Sequence, residues 1–259
     1  MDELKNKIRV GLSGASGRMC TAIARLARCN QAFEIAFGVD KSESSNCSVY
    51  PIYTSFDEAQ DCDVVIDFSA PPLTLQALDY AIQRHIPIVV ATTGQSEENI
   101  AKIQSAGQAV PVFFDSNTSL GNCLLKKLAS IAASMLDDSF DVEIVETHHR
   151  IKADAPSGTA LNLAKAVQTA KQQRFGEEYT ICQGHLDKRS NRQIGIHSLR
   201  GGTVVGRHEI HFLGNNERLT IVHEVENKSV FAFGALKAAA FLLTKPAGVF
   251  CTDDLQNDK

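Results

Sequence analysis

The chain has 259 residues, enough to bury a sizeable core in one large domain or two modest ones, and two is the expected division. A net charge of −4 excludes a global attraction to nucleic acid or anionic membrane, so neither is an expected partner. Seven scattered cysteines (20, 29, 47, 62, 123, 182 and 251), odd in number and without a Cys-x-x-Cys pair, argue against a disulfide framework or a metal site and for reduced thiols in a cytoplasmic protein.

The amino terminus is charged from its second residue and has no apolar leader, and no apolar run reaches membrane-spanning length. Ile8 to Ser13 reads as a strand, Arg18 to Arg28 as a helix and Phe33 to Val39 as a second strand. Strands follow at Asp63 to Ser69, Ile86 to Thr93 and Val110 to Phe114, separated by helices at Leu73 to Arg84 and Glu97 to Ala106. Continuous apolar strands alternating with helices predict an α/β fold, a Rossmann-like, doubly wound parallel sheet. Ligands bind such sheets at the carboxyl ends of the strands.

Gly11-Leu-Ser-Gly14-Ala-Ser-Gly17-Arg18-Met19-Cys20 joins the first strand to the first helix, where glycines permit a tight turn and close approach to a pyrophosphate. Asp40 ends the second strand, where an acid can accept from an adenine-ribose diol; Lys41 beside it suits a 2′-phosphate, so NADH and NADPH both stay open. Ala91-Thr-Thr-Gly94 and Asp115-Ser-Asn-Thr-Ser119 close the fourth and fifth strands at the same crevice.

A helix near Leu120 to Leu136 precedes a change of pattern. Asp141 to Thr147, Ile194 to Leu199, Thr203 to Phe212 and Leu219 to Glu226 read as strands of a mixed or antiparallel sheet, interrupted by one helix from Ser157. A last helix, Phe231 to Thr244, can return to the first domain. Between strand and helix stands Glu146-Thr-His-His-Arg-Ile-Lys-Ala-Asp-Ala-Pro-Ser-Gly-Thr-Ala160. His148, His149, Arg150 and Lys152 repel one another and need a counter-charge, from a ligand or from Asp154. Ser157 suits an N-cap, and the Gly158 and Thr159 amides at the helix start suit a carboxylate or phosphate. Histidine titrates nearest neutrality, so one of the pair is the natural proton-transfer group.

These segments, with Arg18-Met19, Thr92-Thr93-Gly94, Asn117, Ser119, Gly121 and Phe231-Ala-Phe-Gly-Ala-Leu-Lys-Ala-Ala in the same order, resemble the dihydrodipicolinate reductase family (4-hydroxy-tetrahydrodipicolinate reductases) over nearly the whole chain. The resemblance implies reduction of a cyclic imine dicarboxylate by NADH or NADPH in the diaminopimelate route to lysine. It further implies a dinucleotide-binding domain of residues 1–119 and 229–259, a mixed α/β substrate-binding and tetramerisation domain of residues 120–228, and a homotetramer. It assigns His148 as proton donor or acceptor, Lys152 as proton donor, and His149, Gly158 and Thr159 to substrate. Gly14, Ala15, Ser16, Gly17, Arg18, Met19, Asp40, Lys41, Ala91, Thr92, Thr93, Asp115, Ser116, Asn117 and Thr118 fall on its nucleotide contacts. The chain departs from the family pattern at Cys20, where a third glycine is usual, at Ala91, usually glycine, and at Thr118, usually aromatic or apolar. Competing readings are a reductase of the same architecture acting on another dicarboxylate or imine, and a dinucleotide-sensing regulator; the histidine-lysine segment speaks against both.

Overall fold

The computed structural model describes residues 7–41, 49–184, 188–190 and 192–256. The charged amino-terminal stretch (residues 1–6) and Cys47 lie outside them. In chain order the elements are β1 (Ile8–Ser13), α1 (Arg18–Cys29), β2 (Phe33–Val39), β3 (Ile52–Tyr53), β4 (Val64–Asp67), α2 (Pro71–Arg84), β5 (Ile88–Val90), α3 (Glu97–Ala106) and β6 (Pro111–Phe114). They continue with α4 (Leu120–Met135), β7 (Asp141–His148), α5 (Gly158–Phe175), β8 (Thr180–Gln183), β9 (Gln193–Arg200), β10 (Gly206–Leu213), β11 (Arg218–Val225), α6 (Ser229–Leu242) and β12 (Gly248–Phe250). The chain divides into two compact units, residues 1–119 with 229–259 and residues 120–228.

Unit 1 is a seven-stranded sheet in the order β12-β6-β5-β4-β1-β2-β3, every pairing parallel. Its strands are mostly apolar because both faces are covered, the polar Arg9 and Glu34 standing near the strand starts. Val10, Leu12, Val64, Ile66 and Phe113 pack with α1 and α6, whereas Phe37, Val65, Ile88 and Val112 pack with α2 and α3. The sequence of Ile86 to Thr93 promised a longer strand than β5. Pro87 has no amide to give a ladder, and the Thr92 side chain is engaged with Asp67, which ends the strand early. The short β3 and β12 were not foreseen; each is fixed by its partner, Gly38 with Ile52 and Gly248 with Pro111.

Unit 2 is a mixed five-stranded sheet, β11-β10-β7-β9-β8, with β7-β9 and β8-β9 parallel and the rest antiparallel. One face is buried under α4 and α5, which explains the strict in-out alternation of β7. Ile144 is fully buried in that layer beside Leu163, Val167 and Phe212, and its truncation to alanine would cost about 2–5 kcal/mol. Among the described residues no helix is long and apolar enough to cross a membrane.

Candidate active site

The period of two that places Ile144 in the core continues along β7 and turns Glu146 and His148 to the same side. Glu146 is wholly buried and His148 is 8% exposed. His148 Nδ1 lies 2.5 Å from Glu146 Oε2. The neighbouring strand supplies Arg200, in register with His148, whose guanidinium donates to both carboxylate oxygens at 2.8 and 2.6 Å. The Ser157 amide adds a fourth donor at 3.2 Å. Burial alone would raise the Glu146 carboxyl, but hydrogen bonds from Arg200, Ser198 and His148 outweigh it and hold the group at about 2.

An ionised carboxylate only accepts, so Nδ1 of His148 carries a proton and Nε2 carries the lone pair. Burial pulls His148 below its ordinary value, Glu146 opposes that, and Lys152 and Arg200 reinforce it. His208, opposite Glu146 on β10, is buried and stands edge-on to His148 at 5.2 Å between ring centres. Ser157 Oγ accepts from the Ala160 amide as the N-cap of α5 and is hydrogen-bonded to His208 Nε2 at 3.1 Å. Burial, then the nearby His148, lower His208 to about 4, so it is neutral at neutral pH.

Between β7 and α5 the cationic segment is laid out along a loop. Lys152 donates to both oxygens of Asp154, at 2.7 and 2.9 Å, and this contact lowers the Asp154 carboxyl. Arg200 also donates to the Asp154 carbonyl at 2.7 Å, tying the loop to the same cluster. His149 is half-buried, and Arg150 is exposed. Gly158, first residue of α5, is exposed with nothing within 4 Å of where a Cβ would stand, and the first turn holds no acidic residue. Such a helix start accepts an anion. Thr159 follows, half-buried.

In unit 1 the expected contact residues gather at the carboxyl ends of the strands. Gly14 is left-handed (φ +80°), and a Cβ there would lie 2.8 Å from the Phe68 carbonyl and Ser69 Cα, so only glycine fits. The Gly14 and Ala15 amides bond to the Val39 carbonyl at 2.9 and 3.1 Å, folding the loop against β2. Asp40 accepts from the Ser16 amide at 2.8 Å and the Lys41 amide at 2.7 Å. Its carboxylate therefore braces the loop, and its remaining lone pairs are what it can offer a ribose. The helix α1 begins at Gly17 without a side-chain cap and without an acidic residue in its first turn, while α3 and α5 are capped by Ser96 and Ser157. Amides at Arg18 and Met19 without a side-chain cap fit a pyrophosphate. Cys20 is buried, packs in the core under the loop and donates to the Ser13 carbonyl at 3.3 Å; burial pushes its thiol up.

Asp67, at the end of β4, is wholly buried and accepts from three hydroxyls: Ser69 on one oxygen, Thr74 and Thr92, each at 2.7 Å, on the other. Thr92 in turn accepts from the Ser69 amide at 2.8 Å. Ala91 is buried, while Thr93 and Ser116 are exposed. Asp115 accepts from the Asn117 amide and from the Thr252 hydroxyl at 2.6 Å. Thr118 is turned inward, 1% exposed, and donates to the Phe231 carbonyl at 2.7 Å. A Cβ at Gly234 would overlap the Thr118 carbonyl, so this position fastens the loop to α6 and leaves no side chain for a ligand.

The groups given no role from the sequence are Glu146 and Arg200 in unit 2 and Asp67 with Ser69 in unit 1; His208, read from the sequence as a strand histidine in a surface or packed role, is packed against His148. Glu146 shares the strand parity of His148, and Asp67 ends a strand of the crevice; those were the available signals. Arg200 and His208 enter only through strand register.

The chain matches the family description "Dihydrodipicolinate reductase, N-terminus" over residues 8–118 and "Dihydrodipicolinate reductase, C-terminus" over residues 121–255. It is 41% identical to the 4-hydroxy-tetrahydrodipicolinate reductase of Caldanaerobacter subterraneus subsp. tengcongensis, covering 96% of this chain and 98% of that one. The reductase of the same description from Clostridium tetani is 36% identical over 96% and 97% of the two chains. In fold it is similar to a dipicolinate-bound dihydrodipicolinate reductase from Paenisporosarcina sp. TG-14, with a TM-score of 0.76, 23% identity and coverage of 95% and 97%. Matched along both halves and nearly end to end, this chain belongs to the dihydrodipicolinate reductase family.

Proposed function

We propose that this protein reduces 4-hydroxy-tetrahydrodipicolinate, by way of dihydrodipicolinate, to tetrahydrodipicolinate with NADH or NADPH, in the diaminopimelate route to lysine. The observation that carries this reading is the His148 to Thr159 arrangement, in which a buried imidazole, an ammonium and an open helix start stand within one loop. A dicarboxylate fits it: one carboxylate on the Gly158 and Thr159 amides, the remaining charge facing His149 and the cationic loop. Charge-assisted hydrogen bonds of this kind contribute roughly 1.5–3 kcal/mol each.

When bound, NADH or NADPH supplies the hydride. In unit 1 the groups that hold it are Gly14 to Met19 for the pyrophosphate, Asp40 and Lys41 for the adenine ribose, and Ala91 to Thr93 with Asp115 to Thr118 nearer the nicotinamide, Thr118 through its backbone. Reduction of the conjugated ring leaves one carbon that must take up a proton. Lys152 is the donor. It leaves its pairing with Asp154 to reach the substrate, and His148 takes up or gives a proton at Nε2. Positioned proton transfer is worth about 10²–10⁴ in rate.

The working form is a cytoplasmic homotetramer assembled through unit 2. Leu199, Leu213 and Val222 stand exposed on the strands of its sheet, on the face away from the helices, which supports an assembly face there. The cysteines described are all free, in keeping with a reducing compartment. Light scattering should return a mass four times the chain's 28.1 kDa.

Coenzyme oxidation by the purified protein tests the activity. Absorbance of NADH or NADPH should fall when the condensation product of pyruvate and aspartate semialdehyde is supplied, and stay constant without it. No loss at saturating coenzyme and substrate would sink the reading.

A further inference from the structure

Arg200, His148, the Ser157 amide and the Ser198 side chain converge on Glu146, and their geometry decides which nitrogen of His148 faces the chemistry. Arg200 Nη1 and His148 Nδ1 meet Oε2, while Arg200 Nη2 and the Ser157 amide meet Oε1. The carboxylate is buried with the arginine beside it, so it has no proton of its own to offer the ring. On the far side of the ring is Gly206, the first residue of β10: a Cβ there would come within 3.1 Å of His148 Nε2, and hydrogen takes its place. The charged and titratable groups around His148 are Glu146 on its own strand, Arg200 on β9, His208 on β10 and Lys152 on the loop, with His223 of β11 behind His208.

We propose that Glu146, clamped by Arg200, is the positioning residue of the proton-transfer site: it fixes His148 as the Nδ1–H tautomer and reserves Nε2 as the ring's exchangeable site, beside the opening left by Gly206. The inference deepens the proposed function and rests on its reading of His148 as a proton-transfer group. A histidine in the other tautomer would present an N–H that can neither accept a proton nor, while neutral, give one up readily. The same clamp orients the loop, because Arg200 also holds the Asp154 carbonyl, next to the carboxylate that pairs with Lys152.

Glu146→Gln tests this with almost no change of shape. Its amide nitrogen takes the Oε2 position, since at Oε1 it would confront two donors, Arg200 Nη2 and the Ser157 amide. At Oε2 it confronts Arg200 Nη1 and donates to His148 Nδ1, which must then become the acceptor. The ring proton moves to Nε2.

The experiment is ¹⁵N NMR of the histidine rings at mildly alkaline pH, with steady-state kinetics and dinucleotide binding on the same samples. In the unsubstituted protein His148 should show a protonated Nδ1 and a bare Nε2. In Glu146→Gln the two should exchange, with kcat lower by roughly 10²-fold and dinucleotide Kd unchanged. Arg200→Lys, which keeps a cation beside the carboxylate, should retain the original tautomer even where the lost second contact lowers kcat. A bare Nδ1 in the unsubstituted protein overturns the inference even if no variant folds, and so does a Glu146→Gln protein that keeps its tautomer or its kcat. His148→Gln separates the two readings: unchanged turnover in that variant removes the role of His148 itself, whereas lost turnover there with full turnover in Glu146→Gln removes only the positioning by Glu146.

Discussion

Among the described residues each unit contains one wholly buried carboxylate at the carboxyl end of a strand, and the two are satisfied in different ways. Asp67 in unit 1 is surrounded by hydroxyls, from Ser69, Thr74 and Thr92, and what it organises is neutral: a turn and a strand end at the edge where a dinucleotide is expected. Glu146 in unit 2 is met by a guanidinium, an imidazole and a backbone amide as well as the Ser198 hydroxyl, and what it organises is charge and a proton. Burying a carboxylate is costly in both places. Hydroxyl donors suffice where the aim is to shape a contact surface. A cation beside the carboxylate keeps it anionic and so dictates the state of the histidine it touches.

The contrast can be broken by removing one partner at a time. Arg200→Ala leaves Glu146 buried without its counter-charge, a change that typically costs about 3–5 kcal/mol, read as a lowered urea midpoint. A loss under 1 kcal/mol would mean that the carboxylate is held by its other donors. Acid should act through the same cluster. His208 is lowered from 6.5 to about 4, so the unfolded chain takes up that proton first, and stability falls as pH drops from about 6.5 to about 4, by roughly 3 kcal/mol. Glu146, lowered from 4.5 to about 2, stabilises the fold above 4.5, and that contribution is lost between about 4.5 and about 2. Thermal melts of His208→Asn should lack the upper part of this acid limb; an unaltered profile would assign it to other groups.

Asp67→Asn should be milder, about 1–3 kcal/mol, because one acceptor oxygen remains for the surrounding hydroxyls. Its signature should be a weaker dinucleotide Kd with kcat at saturation retained, and a fall in kcat alone would contradict the role given to unit 1. Ser157→Ala should be the smallest, about 1 kcal/mol from the lost cap of α5, and a melting temperature equal to that of the unsubstituted protein would show the cap to be redundant.

Much of this was legible in the sequence because unit 1 buries both faces of its sheet, so β1, β2 and β4 read as mainly apolar runs broken only near their ends, by Arg9, Glu34 and Asp67 among others. β3, β8 and β12 have only two to four residues and take their existence from a neighbouring strand, which no local pattern encodes. The loop from His148 to Gly158 was legible because it is contiguous. Its supports were not: Arg200 and His208 come from β9 and β10 and meet His148 only once register is set. Thr118, a departure from the family pattern, makes sense through α6, whose Gly234 packs on its carbonyl and whose Phe231 accepts its hydroxyl. Cys20 similarly replaces a glycine with a thiol that fills the core and bonds to Ser13.

The division of labour between the units is tested most directly by Lys152→Met, with dinucleotide Kd and saturated kcat measured on one preparation. The account predicts a Kd equal to that of the unsubstituted protein and a kcat lower by about 10²–10⁴. Parallel loss of both, or full turnover without the ammonium, would contradict it.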